Sequence, residues 1–145
     1  IESIIMIFYI TDTAGIKLVV LPAKEFDLII EELEDLEDIR LYDEAKQTDT
    51  GERILLSECV KNRKENNGKV HGVLSKKAQK QLDKIPDNIA EPIIEAISDL
   101  EENQDLTDIK KLKGRDGYRI RVGNYRVIYE IIDTQLIVDV ISLGQ

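Results

Sequence analysis

The chain reads as an α+β protein in which a helical hairpin packs on one face of an antiparallel sheet. Three observations predict it. Tyr118, Ile120 and Val122 alternate with Arg119 and Arg121, and Tyr125 to Ile131 alternates again after Gly123-Asn124. Period-two alternation around a Gly-Asn pair marks two antiparallel strands and a tight turn, because Gly and Asn accept φ > 0. Upstream, Ala78, Leu82 and Ile85, then Ile89, Ile93, Ile97 and Leu100, fall at helical spacing on either side of Pro86-Asp87. Downstream, Leu136 to Leu143 is an apolar run of strand length.

Each element follows from local signals. Phe8 to Thr11 and Ile16 to Leu21 are strand-like and joined by Asp12-Thr13-Ala14-Gly15, a hairpin. Pro22 stands where a helix begins, since its missing N–H would have no partner there anyway. Phe26, Ile29, Ile30 and Leu33 then form an apolar stripe opposite an acidic face. That stripe is too narrow for a core of its own, so these four residues are expected to bury against another surface. Ile39 to Ala45 reads as a second short helix, Gln47 to Glu52 as a polar break, and Ile54 to Val60 as a further short element.

Residues 61–69, polar and punctuated by Gly68, read as a linker between a segment 1–60 and a domain 70–145. Val70 to Leu74 is a short strand. Ser75 caps a helix running through Ile85, Asn88 to Glu102 makes the second helix, and Asn103 to Lys113 is a loop. The resulting order, β-α-α-β-β-β, puts the helices on one face of the sheet and leaves the other free for function.

Composition bounds the function. With 145 residues, 42% hydrophobic and 34% charged, the chain has room for one ordinary domain or two small ones, and disorder throughout is excluded. Cys59 is the only cysteine, so no internal disulfide framework exists and a reducing, cytoplasmic setting is expected. The apolar start, Ile4 to Ile10, is too short to span a membrane. His71 is the only histidine; with one cysteine it offers no metal site of usual spacing, and no cofactor is expected. The first residue is Ile1 and the only methionine Met6, which suggests a fragment.

Charge is uneven. Residues 1–66 carry a net −8 and residues 67–145 a net −1, out of −9. Glu31, Glu32, Glu34, Asp35, Glu37 and Asp38 bunch in the first half. Lys110, Lys111, Lys113, Arg115, Arg119, Arg121 and Arg126 bunch in the second with only Asp116 among them. Two readings stand side by side: the halves bind each other, or both runs are solvated faces. In the first, Asp43, Glu44, Asp49 and Glu52 cover the arginines in the manner of a substrate. Arg119 and Arg121 share a strand face, and strand pairing brings Arg126 toward them. Such arginines either hold phosphates or simply guard an exposed strand edge.

These residues carry a resemblance. Leu74-Ser75-Lys76-Lys77-Ala78, Leu82-Asp83-Lys84-Ile85-Pro86, Lys111-Leu112-Lys113-Gly114, the stretch Gly117 to Glu130 and the closing Val140-Ile141-Ser142-Leu143-Gly144 resemble the RelE/ParE toxin superfamily over residues 72–144. Tyr9-Ile10-Thr11-Asp12 and Lys17 to Asp38 resemble, less sharply, antitoxins of the Phd/YefM kind. The resemblance implies a toxin–antitoxin fusion: a RelE-like helical hairpin on an antiparallel sheet, with an antitoxin-like hairpin and helix wrapping it through Phe26, Ile29, Ile30 and Leu33. It implies a ribosome-dependent mRNA endonuclease, with Arg119 and Arg121 gripping the RNA backbone and Arg126 stabilising the transition state. Lys110, Lys111, Lys113 and Arg115 would add RNA contacts.

RelE-like toxins continue past the last strand with a basic pair and a tyrosine, and this chain stops at Gly144-Gln145. The resemblance therefore also admits a catalytically inactive binding module, or a ParE-like gyrase inhibitor. Implied partners are the mRNA and ribosome, the chain's own antitoxin segment, and a second copy or a cognate toxin or antitoxin. No membrane is implied.

Overall fold

The computed structural model describes residues 8–59, 72–102 and 109–144. It divides into two compact units, Ile1–Glu37 and Asp38–Gln145. In the first, β1 (Phe8–Thr11) and β2 (Lys17–Val20) pair antiparallel, with Phe8 opposite Val20. The Asp12 carboxylate accepts the amides of Ala14 and Ile16, both at 2.9 Å, and fixes the turn. Helix α1 (Ala23–Gln47) starts directly after Pro22, as expected. The separate helix expected at Ile39 does not exist: α1 is continuous through Gln47, since no Gly or Pro interrupts it.

The second unit is built on a six-stranded sheet of order β3-β4-β8-β7-β6-β5. Its strands are β3 (Arg53–Leu55), β4 (Val73–Ser75), β5 (Lys110–Lys111), β6 (Gly117–Val122), β7 (Tyr125–Ile132) and β8 (Gln135–Leu143). A short helix, α2 (Leu56–Cys59), follows β3. All pairings are antiparallel except β4 with β8, which run parallel, so the sheet is mixed. Parallel neighbours need a crossover, and α3 (Lys76–Asp83), α4 (Asp87–Glu102) and the β5–β7 meander supply it. Ser75 caps α3: its Oγ accepts the Ala78 amide at 3.1 Å and donates to the Asp139 carbonyl at 2.9 Å. The linker expected at 61–69 lies outside the described residues.

Both tight turns of the meander have the backbone that strand twist favours. Gly123 takes φ 59 at the first loop position between β6 and β7. Between β7 and β8 both Asp133 (φ 50) and Thr134 (φ 64) are left-handed, the type I′ pattern. Near its middle β8 carries a bulge: Ile128 pairs with Val140 and Tyr129 with Val138, so Asp139 is the extra residue.

The helical hairpin covers one face. Leu82, Ile93 and Ile97 bury there against Ile120, Val127 and Val138. The opposite face is not free, contrary to the sequence expectation. Leu41, Tyr42 and Ala45 of α1 form a second core on it with Leu112, Ile128 and Val140. The physical reason is legible in β7 and β8: strands apolar on both faces must be covered on both. Gly117 permits the close approach, because a Cβ there would sit 2.7 Å from two Tyr42 ring carbons.

Candidate functional site

The site is built where α1 crosses the β6–β7 arginines. Residues 119 and 121 face the same way on β6, and Arg121 lies opposite Arg126 on β7. Arg119 and Arg126 are thus diagonal neighbours on one face, close enough to share a partner. That partner is Asp38, whose Oδ1 lies 3.1 Å from Arg126 Nη1 and whose Oδ2 lies 3.5 Å from Arg119 Nη1. Arg119 and Arg126 are 7% and 8% exposed, and Asp38 is fully buried. One carboxylate so placed lies between two guanidiniums, the same charge arrangement that a phosphodiester oxygen pair would meet.

A second ion pair extends the contact. Arg115 donates from Nε and Nη2 to the two carboxylate oxygens of Asp43, both at 2.7 Å. This fork-on-fork pair holds the Asp43 carboxyl below the usual carboxylate range. Glu44 accepts from Lys77 Nζ at 3.0 Å, and Asp49 accepts from both Arg53 amino nitrogens at 2.9 Å, which pushes its pKa down to about 2. Glu52 pairs with Lys76 at 3.5 Å. Of the four carboxylates expected over the arginines, only Asp43 meets one of the predicted basic residues, and Asp38 takes the central place.

At the other end of the face, two carboxylates meet. Glu130 on β7 and Asp139 in the β8 bulge are both buried beside Lys46, and Asp139 Oδ2 has no hydrogen-bond partner. Lys46 Nζ pairs with Glu130 and lies 4.0 Å from Asp139, while the Tyr42 hydroxyl donates to Glu130 at 3.4 Å. Burial and then the neighbouring Glu130 carboxylate raise Asp139 to about 8. Burial also works on Glu130, but Asp139 and Lys46 beside it win and hold it below its ordinary value.

The remaining predicted residues are placed as follows. Arg121 is exposed. Lys110 and Lys111 form the edge strand β5, paired with Arg119 and Tyr118, and Lys111 Nζ donates to the Arg115 carbonyl. Lys113 is exposed in the turn that follows. Phe26, Ile29, Ile30 and Leu33 belong to the first unit and are 51%, 38%, 38% and 56% exposed. The α1 residues that the second unit buries are Asp38, Leu41, Tyr42 and Ala45. Among the described residues no group of His, Cys, Asp and Glu has the arrangement of a metal site, and no helix is long and apolar enough to cross a membrane.

Comparison with known families decides the lineage. The family model of the ParE toxin of type II toxin–antitoxin systems, parDE, matches residues 73–145, half of the chain. The chain belongs to this toxin family. Its sheet and helices are similar to those of the RelB–RelE antitoxin–toxin complex from Methanococcus jannaschii, at 32% identity and a TM-score of 0.43, over 48% of this chain and 87% of that one. The toxin–antitoxin complex RelBE2 from Mycobacterium tuberculosis is similar at 25% identity and a TM-score of 0.43, over 48% and 91%. The isolated E. coli RelE toxin is similar at 20% identity and a TM-score of 0.44, over 50% and 81%. No curated protein matches the sequence. The toxin-family region begins at β4, so α1, which buries Arg119 and Arg126, lies wholly outside it.

Proposed function

We propose that this ParE-family chain is a toxin carrying its own restraint, with residues 70–145 as the RelE-like toxin domain and residues 1–60 as an antitoxin segment acting in cis through α1. One observation carries the reading: Arg119 and Arg126, the arginines we assign to phosphate contact, are buried beneath Asp38 of the same chain, at 3.5 and 3.1 Å. Arginine is a poor base, so Arg119 and Arg126 serve by binding phosphate and neutralising charge that develops on it. Arg121 and Lys110 extend the same face, and Lys111 and Lys113 at the sheet edge add positive charge near it, toward single-stranded RNA on the ribosome. Such a toxin acts in the cytoplasm and is silent until α1 lifts.

A second reading, inhibition of gyrase without RNA cleavage, is favoured by the ParE description of the matching family. The test is induction in cells of the full chain, of an Asp38→Ala/Tyr42→Ala variant, and of that variant with Arg126→Ala added. Growth arrest with mRNA cleavage by the double variant alone supports the ribonuclease. Arrest with DNA breaks and intact mRNA selects the gyrase reading. Absence of arrest from a folded double variant removes both.

A further inference from the structure

We infer that the C-terminal half of α1 is latched to the sheet by a proton held between Glu130 and Asp139, so that lifting the helix releases that proton. The geometry is a cluster in an interface. Glu130 and Asp139 come from neighbouring strands, and the bulge turns Asp139 onto the α1 face. Both are almost wholly inaccessible, with side chains 5% and 2% exposed. Asp139 Oδ2 is buried with no hydrogen-bond partner, and two buried carboxylates beside one lysine carry a surplus negative charge unless one of them is protonated. Lys46 and Tyr42, both from α1, close the cluster from above.

Every charged neighbour enters the balance. From α1 come Lys46 and Tyr42; Arg53 on β3 acts through space on both carboxylates, and Asp49 holds Arg53. Asp116, beyond β5, acts on Tyr42. The β4 neighbour, Ser75, donates only to the Asp139 backbone. One lysine therefore faces two carboxylates, and the proton removes the surplus negative charge. When α1 lifts, water reaches Asp139, the burial that raises its pKa is relieved, and the proton leaves.

The sign follows. A carboxyl raised in the docked state stabilises docking fully below its ordinary pKa, near ~4, and loses that contribution as pH rises through its docked value. Docking is therefore tightest on the acid side of neutrality and loosens toward pH 8. Asp38 and Lys46 are eight residues apart, about 12 Å along the helix, so one rigid element carries both contacts. As a regulator of the arginine face the latch rests on the function proposed above; as a property of α1 it does not.

The test is amide hydrogen exchange in the full chain between pH 5 and 8, corrected for the chemistry of exchange. Leu41 to Gln47 report the latch, and Ile93 and Ile97 in α4 are the reference. In the wild type the opening constant of α1 is expected to rise with pH, by up to about tenfold per unit for one proton. In Asp139→Asn, which is neutral at every pH, it is expected to be flat. A flat wild type, an unchanged slope in the variant, or an equal slope in α4 overturns the inference. If Asp139→Asn does not fold, the carboxyl carbon of Asp139 in the wild type is titrated by NMR. A midpoint well above the ordinary carboxylate range supports the latch, and an ordinary midpoint overturns it. Toxicity is not read, so an inactive toxin does not affect the outcome.

Discussion

Asp38 Oδ1 lies 3.1 Å from Arg126 Nη1 with both side chains buried, and this contact joins the end of an acidic helix run to the arginine of a strand motif 88 residues away. Helix and sheet exchange opposite charges: Asp38 sits among arginines, and two turns later Lys46 sits over carboxylates. The exchange fixes the register of α1, because sliding it along the face would oppose like charges or leave buried ones unmatched.

Removing Asp38 is expected to cost about 3–5 kcal/mol, because two buried guanidiniums lose their shared anion. Urea unfolding of Asp38→Ala measures the loss. In a cycle with Arg126→Ala the two substitutions are expected to be non-additive by about 1–3 kcal/mol. Strict additivity would mean the pair does not interact.

Gly117→Ala places a methyl 2.7 Å from the Tyr42 ring. The ring must move with its helix, at a cost of about 1–3 kcal/mol. In a Tyr42→Ala background the same substitution is expected to be nearly neutral. Chemical denaturation of the four proteins checks both expectations.

Thr134 holds φ 64, a conformation that strains a β-branched residue. Thr134→Gly relieves the strain, less the added freedom of the unfolded chain, and is expected to stabilise by about 1 kcal/mol. A thermal scan showing a lower Tm would contradict the type I′ assignment.

Asp49, pushed down to about 2 chiefly by its hydrogen bonds from Arg53, contributes stability above its ordinary pKa and loses it as pH falls through about 2. Unfolding free energy is therefore expected to drop below about pH 4. That limb should be shallower in Asp49→Asn, as read from denaturation curves at stepped pH.

Much of this was legible in the sequence. Alternation around Gly123-Asn124 placed β6 and β7, Ser75 and Pro86 bounded the helices, and i, i+2 spacing with strand pairing brought Arg119 and Arg126 together. An acidic cover on the arginines was expected from Asp43, Glu44, Asp49 and Glu52, but Asp38 and the α1 residues that supply it were not foreseen. Their signal lies at 38, 41, 42 and 45, helical spacing in which an aspartate interrupts an apolar stripe. An acidic run hides that aspartate, because five exposed or half-buried acids precede it within eight residues. Asp139 was likewise announced by its setting, a lone charge amid Leu136 to Ile141, but its pairing with Glu130 depends on a bulge. A bulge shifts side-chain facing by one, which alternation cannot reveal. The parallel β4–β8 pairing was hidden for a related reason: neighbours far apart in sequence leave no local trace.

The most direct test of the masked arginine face is dicarbonyl footprinting of the intact chain, read residue by residue by mass spectrometry. Arg121 is expected to be modified while Arg119 and Arg126 are protected, and both are expected to become reactive in Asp38→Ala. Modification of Arg119 and Arg126 in the intact wild type at the rate of Arg121 would contradict the masking.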